Sequence, residues 1–360
     1  MIEQRFGESS PWSVGVEEEL MILDAETLAQ VPRVDVFLSE PGFHTELFAS
    51  VVELKTGICR SAPEAAEALR GLRGRGAEIA AANGLRLAAA GTHPLSVPEE
   101  QQIAPKERYR GFVEYAGVSA RRQGVNGLHV HVGMPSADAC LHVLEGVLPW
   151  LPVVLALSAN SPYLAGVETG LASNRAEILA QLPRSGAPPA FRSYGEWEDF
   201  VERLVRAGVA SDYTLLWWDV RPHPRFGTLE VRMPDQPTAL ERSAAFVALL
   251  QALCAWAAEE PRPQPEAAAR GFYQQNRWAA LRFGPHARLV HPDRERSCEV
   301  RELAADLLER IAPVAGQLGS EHLLAGLDGA SEGDRQLEVG GAHGLEAACA
   351  DIAERTLGSA

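Results

Sequence analysis

Residues 15–23 read G-V-E-E-E-L-M-I-L, and three consecutive glutamates inside an apolar run decide the fold. A strand sends successive side chains to opposite faces. Read as a strand, this stretch puts Glu17 and Glu19 on one face and Val16, Glu18 and Leu20 on the other. Three further segments repeat the arrangement. In V-V-E-L-K-T (51–56) Glu53 stands opposite Val52 and Leu54. In L-H-V-H-V (128–132) His129 and His131 share a face backed by Val130 and Val132. In T-L-E-V-R (228–232) Thr228, Glu230 and Arg232 share a face backed by Leu229 and Val231. One strand with a polar face is ordinarily just half exposed to water. Solvent faces, however, mix lysine, threonine and serine with both charge signs, whereas glutamate and histidine fill these positions almost alone.

Working outward, the elements mix strands and helices without strict alternation. Ser61-x-x-Glu64 predicts a capped helix running to about Ala82, where Asn83-Gly84 stops it despite Gly71, Gly74 and Gly76. Leu85 to Ala90 reads as a short strand. An apolar helix is expected over 137–157, bent at Pro149 and Pro152. Ser193-x-x-Glu196 and Thr238-x-x-Glu241 predict two more capped helices, residues 215–220 a strand, and residues 298–318 a last long helix. The expected class is α+β around one curved sheet. No linker divides the chain, so residues 1–360 are expected to form a single catalytic domain, with a motif-bearing core at about 13–285 and a helical part at about 286–360.

Composition narrows the function. The chain has 360 residues, 46% of them hydrophobic, which supports a large core and excludes disorder as the main state. A net charge of −15 repels polyphosphate backbones and anionic membranes, so no nucleic-acid or membrane partner is expected. The five cysteines, Cys59, Cys140, Cys254, Cys298 and Cys349, are scattered and odd in number. They read as idle thiols of a reducing, cytoplasmic compartment. Lys55 and Lys106 are the only lysines, so any bound phosphate or carboxylate meets guanidinium groups.

Several carboxylates on one concave face repel one another unless protonated or bound to cations. Glutamate and histidine without thiolate suit Mg²⁺, or Mn²⁺, better than Zn²⁺, and no H-E-x-x-H helix is present. Mg²⁺ completes its shell with phosphate oxygens, which points to a nucleoside triphosphate. No Walker or dinucleotide glycine motif occurs. The arginines that would align the transferred phosphoryl group are Arg221, Arg225 and, above all, Arg232, two residues from Glu230 on the same face.

The motifs G-V-E-E-E-L (15–20), V-E-L-K-T-G (52–57), G-L-H-V-H-V-G (127–133), N-S-P-Y…G…S-N-R (160–175), L-P-R-S-G (182–186), W-W-D-V-R-P-H-P-R-F-G-T-L-E-V-R (217–232) and N-R-W-A-A-L-R-F-G (276–284) resemble, in this order, the type 2 glutamate–cysteine ligases, or carboxylate–amine ligases. The resemblance implies a glutamine-synthetase-like fold, a curved and mainly antiparallel sheet backed by helices, with metals and ATP on its concave face. It implies a ligase that joins a carboxylate to an amine through an acyl-phosphate, the type product being γ-glutamylcysteine. By that resemblance Glu17, Glu19, Glu53, His131 and Glu230 would ligate metal, and Arg232 would stabilise the moving phosphoryl group. Arg175 would bind the acid's α-carboxylate, Arg221 and Arg225 would contact ATP phosphates, and Glu53 is a guess for the base. Other acids or amines stay open within the family, as does a guanidino-kinase-like phosphotransferase on the same fold. A homodimer is common for enzymes of this size, but the oligomeric state is open.

Overall fold

The eleven-residue strand β1 (Val14–Asp24) is the axis of the molecule. The computed structural model describes residues 2–293, 296–327 and 330–358. Around β1 lie β2 (Phe43–Thr45), β3 (Val51–Lys55), β4 (Leu85–Ala88), β5 (Leu128–Gly133), β6 (Val220–His223) and β7 (Thr228–Val231). They form one antiparallel sheet in the order β6–β7–β5–β1–β3–β2, while β4 pairs with the second half of β1. The register aligns the polar positions across strands. Glu17 lies opposite both Lys55 and His129, Glu19 opposite Glu53, and Glu230 opposite both His131 and Arg221.

The main helices are α1 (Ala62–Ala82), α2 (Glu107–Ala116), α3 (Ala137–Val147), α4 (Leu151–Ser158), α5 (Asn174–Leu179), α6 (Tyr194–Arg206), α7 (Leu240–Glu259), α8 (Ala267–Phe283), α9 (Val300–Gln317), α10 (Glu332–His343) and α11 (Leu345–Thr356). Val14, Val16, Val130, Val132, Leu229 and Val231 pack under α1, α3 and α7 in one continuous core. At about 1.5–3 kcal/mol for each fully buried aliphatic side chain, this face holds the strands in register. Helix α7, and α3 joined to α4, are long and apolar enough to cross a bilayer, yet 83% and 78% of their apolar windows are buried in the protein. That surface is used up in the core.

Local signals explain most element ends. Ser61 caps α1 by accepting from the Glu64 N–H, and Gly84 adopts φ +68° just past its end. Gly76 is tolerated inside α1 because a Cβ there would lie 2.8 Å from Leu87 Cδ1, so the glycine lets helix and strand touch. The bend predicted at the prolines is real: residues 148–150 form a 3-10 turn between α3 and α4. Two expectations need correction. Residues 215–220 do not form one strand; a 3-10 turn ends at Leu215, Trp217–Trp218 pair elsewhere, and β6 begins only at Val220. Thr238 does not cap α7. Its hydroxyl donates to the Ala89 carbonyl, and Glu332 of α10 accepts the N–H groups of Thr238 and Ala239 instead.

Glu18, on the helix-covered face of β1, is buried at 0% exposure. Arg73 of α1 donates to both its oxygens at 2.7 and 2.8 Å, and Ser243 and Gln236 donate to Oε1. Arg73 also donates to the carbonyls of Thr238 and Thr356, so one guanidinium ties β1, α1, the entry to α7 and the end of α11 together.

Candidate active site

On the open face of the sheet, Glu19 of β1, Glu53 of β3 and Glu46, just past β2, each bring a carboxylate oxygen within 4.8 Å of the others. Burial pushes all three carboxyls up. Glu53 rises well above the usual range, helped by the charges of Glu17 and Glu46, and Glu19 rises to about 7, helped by Glu46. Three oxygens that crowd together at this cost to their ionised forms are a site for a positive charge. Glu46 was not foreseen. It follows a three-residue strand, too short to show alternation.

A second group adjoins the first. Lys55 donates to Glu17 at 2.7 Å and lies 3.0 Å from Glu53, standing between the two carboxylates as a cation would. The neighbouring His129 and His131 imidazoles and the Lys55 ammonium hold Glu17 well below the usual carboxylate range despite its burial. His129 lies with Nδ1 3.5 Å from Glu17 and Nε2 4.0 Å from Glu19, and burial lowers it to about 3, so it is neutral. His131 is more pointed. Its Nδ1 is 3.0 Å from the Thr228 hydroxyl, while its buried Nε2, 3.8 Å from Glu17, has no hydrogen-bond partner. One ring nitrogen oriented by a neighbour and the other left unpartnered beside a carboxylate is the arrangement of a metal-ligating imidazole. The donor set therefore fits a hard divalent cation.

Glu230 completes the row. Arg221 grips it with Nε at 2.6 Å and Nη2 at 3.2 Å, and Arg232 approaches it at 2.5 Å. Against burial, these guanidinium charges hold Glu230 well below the usual range. Arg221 also donates through Nη1 to the carbonyls of Thr214 and Leu216. All its nitrogens are thus committed, and it reaches neither cavity described below. Arg232 lines the first cavity, and exposed Arg225 lines the second.

Buried carboxylates set the supports. Asp235 accepts from the Ser161 and Ser173 hydroxyls and the Asn160 N–H, which pins both halves of N-S-P-Y…S-N-R around it. Arg175, at the start of α5, is 2% exposed. It donates to the carbonyls of Arg232 and Met233, lines the first cavity and keeps a buried Nε without a hydrogen-bond partner. Its path crosses Gly127, where a Cβ would lie 2.1 Å from Arg175 Nη2. Asp219 accepts from Tyr273 and Arg277 of α8, its N–H donates to the Gly186 carbonyl, and its own carbonyl receives the Arg232 N–H. Three of the quoted motifs therefore meet behind Arg232.

The polar floor separates two cavities. The first, of about 500 Å³, is lined on the floor side by Glu19, Glu46, His129, Arg175 and Arg232, and on its outer wall by Arg108, Phe112, Tyr115, Leu215 and Trp217. The second, of about 460 Å³, runs past Glu17, Lys55, His131 and Thr228 to Arg5, Arg225, Phe226 and Ile58. Phe226 and Ile58 are exposed there, at 53% and 77%, and Phe226 stacks on His223 at 4.1 Å between centroids. All five cysteines are buried and free, and Cys140 donates its thiol to the carbonyl of Thr228.

Comparison with known proteins agrees with this arrangement. A family model described as glutamate-cysteine ligase family 2 matches residues 13–338. A protein of Rubrobacter xylanophilus named as a glutamate–cysteine ligase 2 is 42% identical over 349 residues, covering 94% of this chain and 95% of its own length. One of Herpetosiphon aurantiacus with the same type of name is 36% identical over 318 residues, covering 86% and 83%. Among solved structures, the glutamate–cysteine ligase of Francisella tularensis in complex with AMP superposes with a TM-score of 0.70 at 16% identity, over 96% of this chain and 88% of that one. A bifunctional glutathione synthetase from Pasteurella multocida gives 0.72 at 15% identity, over 96% and 52%. At such identities these two likenesses concern the fold, and they bear out the curved antiparallel sheet backed by helices.

Proposed function

The chain belongs to glutamate–cysteine ligase family 2, and on that premise we propose that it is an ATP- and Mg²⁺-dependent carboxylate–amine ligase forming a γ-glutamyl amide, with glutamate and cysteine as substrates. The observation that carries the reading is the floor itself: three clustered carboxylates and a buried, unpartnered His131 Nε2 between two cavities. In this proposal Glu17, Glu19, Glu46, Glu53, His131 and Glu230 hold divalent cations. Those cations, when bound, neutralise the phosphate oxygens during phosphoryl transfer.

The second cavity takes the nucleotide. Phe226 and Ile58 offer apolar surface to a flat base, and Arg225 meets the phosphates. The first cavity takes the acid and then the amine. A carboxylate oxygen of the acid attacks the γ-phosphorus, the bond to the β-phosphate oxygen breaks, and ADP leaves. Arg232 stabilises the charge that spreads over the moving group. Arg221, on the far side of Glu230, fixes that glutamate so that Arg232 is aimed rather than free. The amine nitrogen then attacks the acyl-phosphate carbon and phosphate departs. Loss of the amine's proton needs a base, and Glu53 is our candidate. Closed walls around the first cavity would keep water from the acyl-phosphate. The buried, unpaired thiols suit a reducing, cytoplasmic setting.

The test is product formation. ATP and Mg²⁺ with both glutamate and cysteine should yield ADP, phosphate and an amide, and omission of either amino acid should stop turnover. Glu230→Gln and Arg232→Ala should each abolish turnover while circular dichroism stays that of the folded protein. Full activity in either variant sinks the assignment. A phosphorylated product with no amide would point to phosphotransfer instead.

A further inference from the structure

We infer that Arg108 reads the second carboxylate of the acid substrate, and so decides for a dicarboxylic amino acid over its monocarboxylic analogue. The inference rests on the ligase reading above, because it places the acid in the first cavity. Three guanidinium groups line that cavity: Arg108, Arg175 and Arg232. Arg232 is paired with Glu230 at 2.5 Å. Arg175 is buried, stands 3.9 Å from Asp235, and donates through both Nη atoms to the carbonyls of Met233 and Arg232. Its charge is balanced and only Nε remains. Arg108 is exposed and, among the described residues, makes no hydrogen bond or ion pair; its guanidinium lies only over the ring of its neighbour Tyr109, at 5.1 Å.

Arg108 stands within reach of the floor's charge, where its guanidinium favours the ionised form of Glu46 with no hydrogen bond between them. It is the second residue of α2, at the end of a helix that repels cations. Yet its backbone is fixed close to the reacting floor. The adjacent Tyr109 is buried and donates its hydroxyl to the Thr45 carbonyl at 2.8 Å, one residue before Glu46. The acid's reacting carboxylate must lie at the floor beside Arg232. Its other carboxylate, crowded by Glu19 and Glu46, needs a cation on the outer wall whose N–H groups are still free to donate. Arg108 is that cation.

The experiment compares wild type, Arg108→Ala and Arg108→Lys with ATP, Mg²⁺ and saturating cysteine, using L-glutamate and 4-aminobutyrate, which is glutamate without its α-carboxylate. Arg108 is exposed and unpaired, so the variants should melt like wild type. In Arg108→Ala the KM for glutamate should rise about 10- to 100-fold with kcat little changed, the size of a lost charge-assisted contact. Use of 4-aminobutyrate should not change, and Arg108→Lys should recover part of the loss. An unchanged glutamate KM, an equal loss with both acids, or a change confined to the cysteine KM overturns the inference. If wild type turns over neither acid, the ligase reading has failed separately; calorimetric binding of L-glutamate still decides, since equal affinity in wild type and Arg108→Ala overturns the role of Arg108.

Discussion

Glu19→Gln should make the cation-free protein more stable at pH 8 while abolishing its activity. The carboxyl of Glu19 is raised from the ordinary 4.5 to about 7, chiefly by burial and then by Glu46. A carboxylic acid raised in the fold ionises there less readily than in the unfolded chain. Stability therefore falls as pH climbs from about 4.5 to about 7 and is flat above that. At 1.36 kcal/mol per pH unit the full penalty is about 3 kcal/mol. Glutamine carries no charge to bury, and its amide oxygen can still accept the Gly127 N–H that Glu19 Oε2 receives at 2.6 Å. With an unfolding entropy of about 2.1 cal/mol/K per residue, 3 kcal/mol corresponds to a rise in Tm of about 4 °C for a chain this long. The assay is thermal denaturation of both proteins in EDTA at pH 4.5 and pH 8. The difference should be near zero in acid and about 4 °C in favour of the variant at pH 8. Excess Mg²⁺ should then stabilise wild type but not the variant, by about 2.7 kcal/mol at a concentration 100 times Kd. A variant less stable than wild type at pH 8, or a gain of equal size at both pH values, would refute the reasoning.

Three other substitutions test separate links. Arg73→Met leaves the fully buried Glu18 without its partner and should cost about 3–5 kcal/mol, read as a Tm lower by several degrees, with the deficit shrinking in acid as Glu18 takes up a proton. Pairing it with Glu18→Leu should recover most of the loss. Gly127→Ala puts a methyl group where the Arg175 guanidinium passes, and the displaced arginine would carry the Arg232 carbonyl with it. We expect kcat to fall about 100-fold in a protein that still shows a folded circular dichroism spectrum at 25 °C. Phe226→Ala should raise the KM for ATP about 5- to 100-fold, the range for a lost base–aromatic stack, and leave the KM for glutamate alone.

Much of the site was legible because the sheet's two faces differ so sharply in polarity. Period-two alternation placed Glu17, Glu19, Glu53, His131, Glu230 and Arg232 on one side, and the register then set Glu19 opposite Glu53 and Glu230 opposite His131. What escaped was everything decided by distant partners. Glu46 stands alone after a three-residue strand, and only the fold of the preceding loop brings it to Glu19. Glu18 alternates correctly onto the covered face, but its partner Arg73 lies 55 residues away on a helix. Arg221 looked free to reach phosphate; its register opposite Glu230 commits it instead. The Thr238 capping box failed for the same reason, since its hydroxyl goes to the Ala89 carbonyl and its N–H to Glu332, 94 residues on. The apolar run before β6 is likewise a turn and one short strand, and Arg221 holds the Thr214 and Leu216 carbonyls there.

The most direct measurement is a crystal of the protein grown with Mn²⁺ and a non-hydrolysable ATP analogue, with data collected at the manganese edge. The account predicts anomalous peaks within coordination distance of Glu19, Glu46 and Glu53, and of Glu17 or Glu230 with His131 Nε2, the nucleotide's phosphates bridging them. A well-ordered nucleotide with no anomalous density on this floor, or manganese bound only elsewhere, would contradict it.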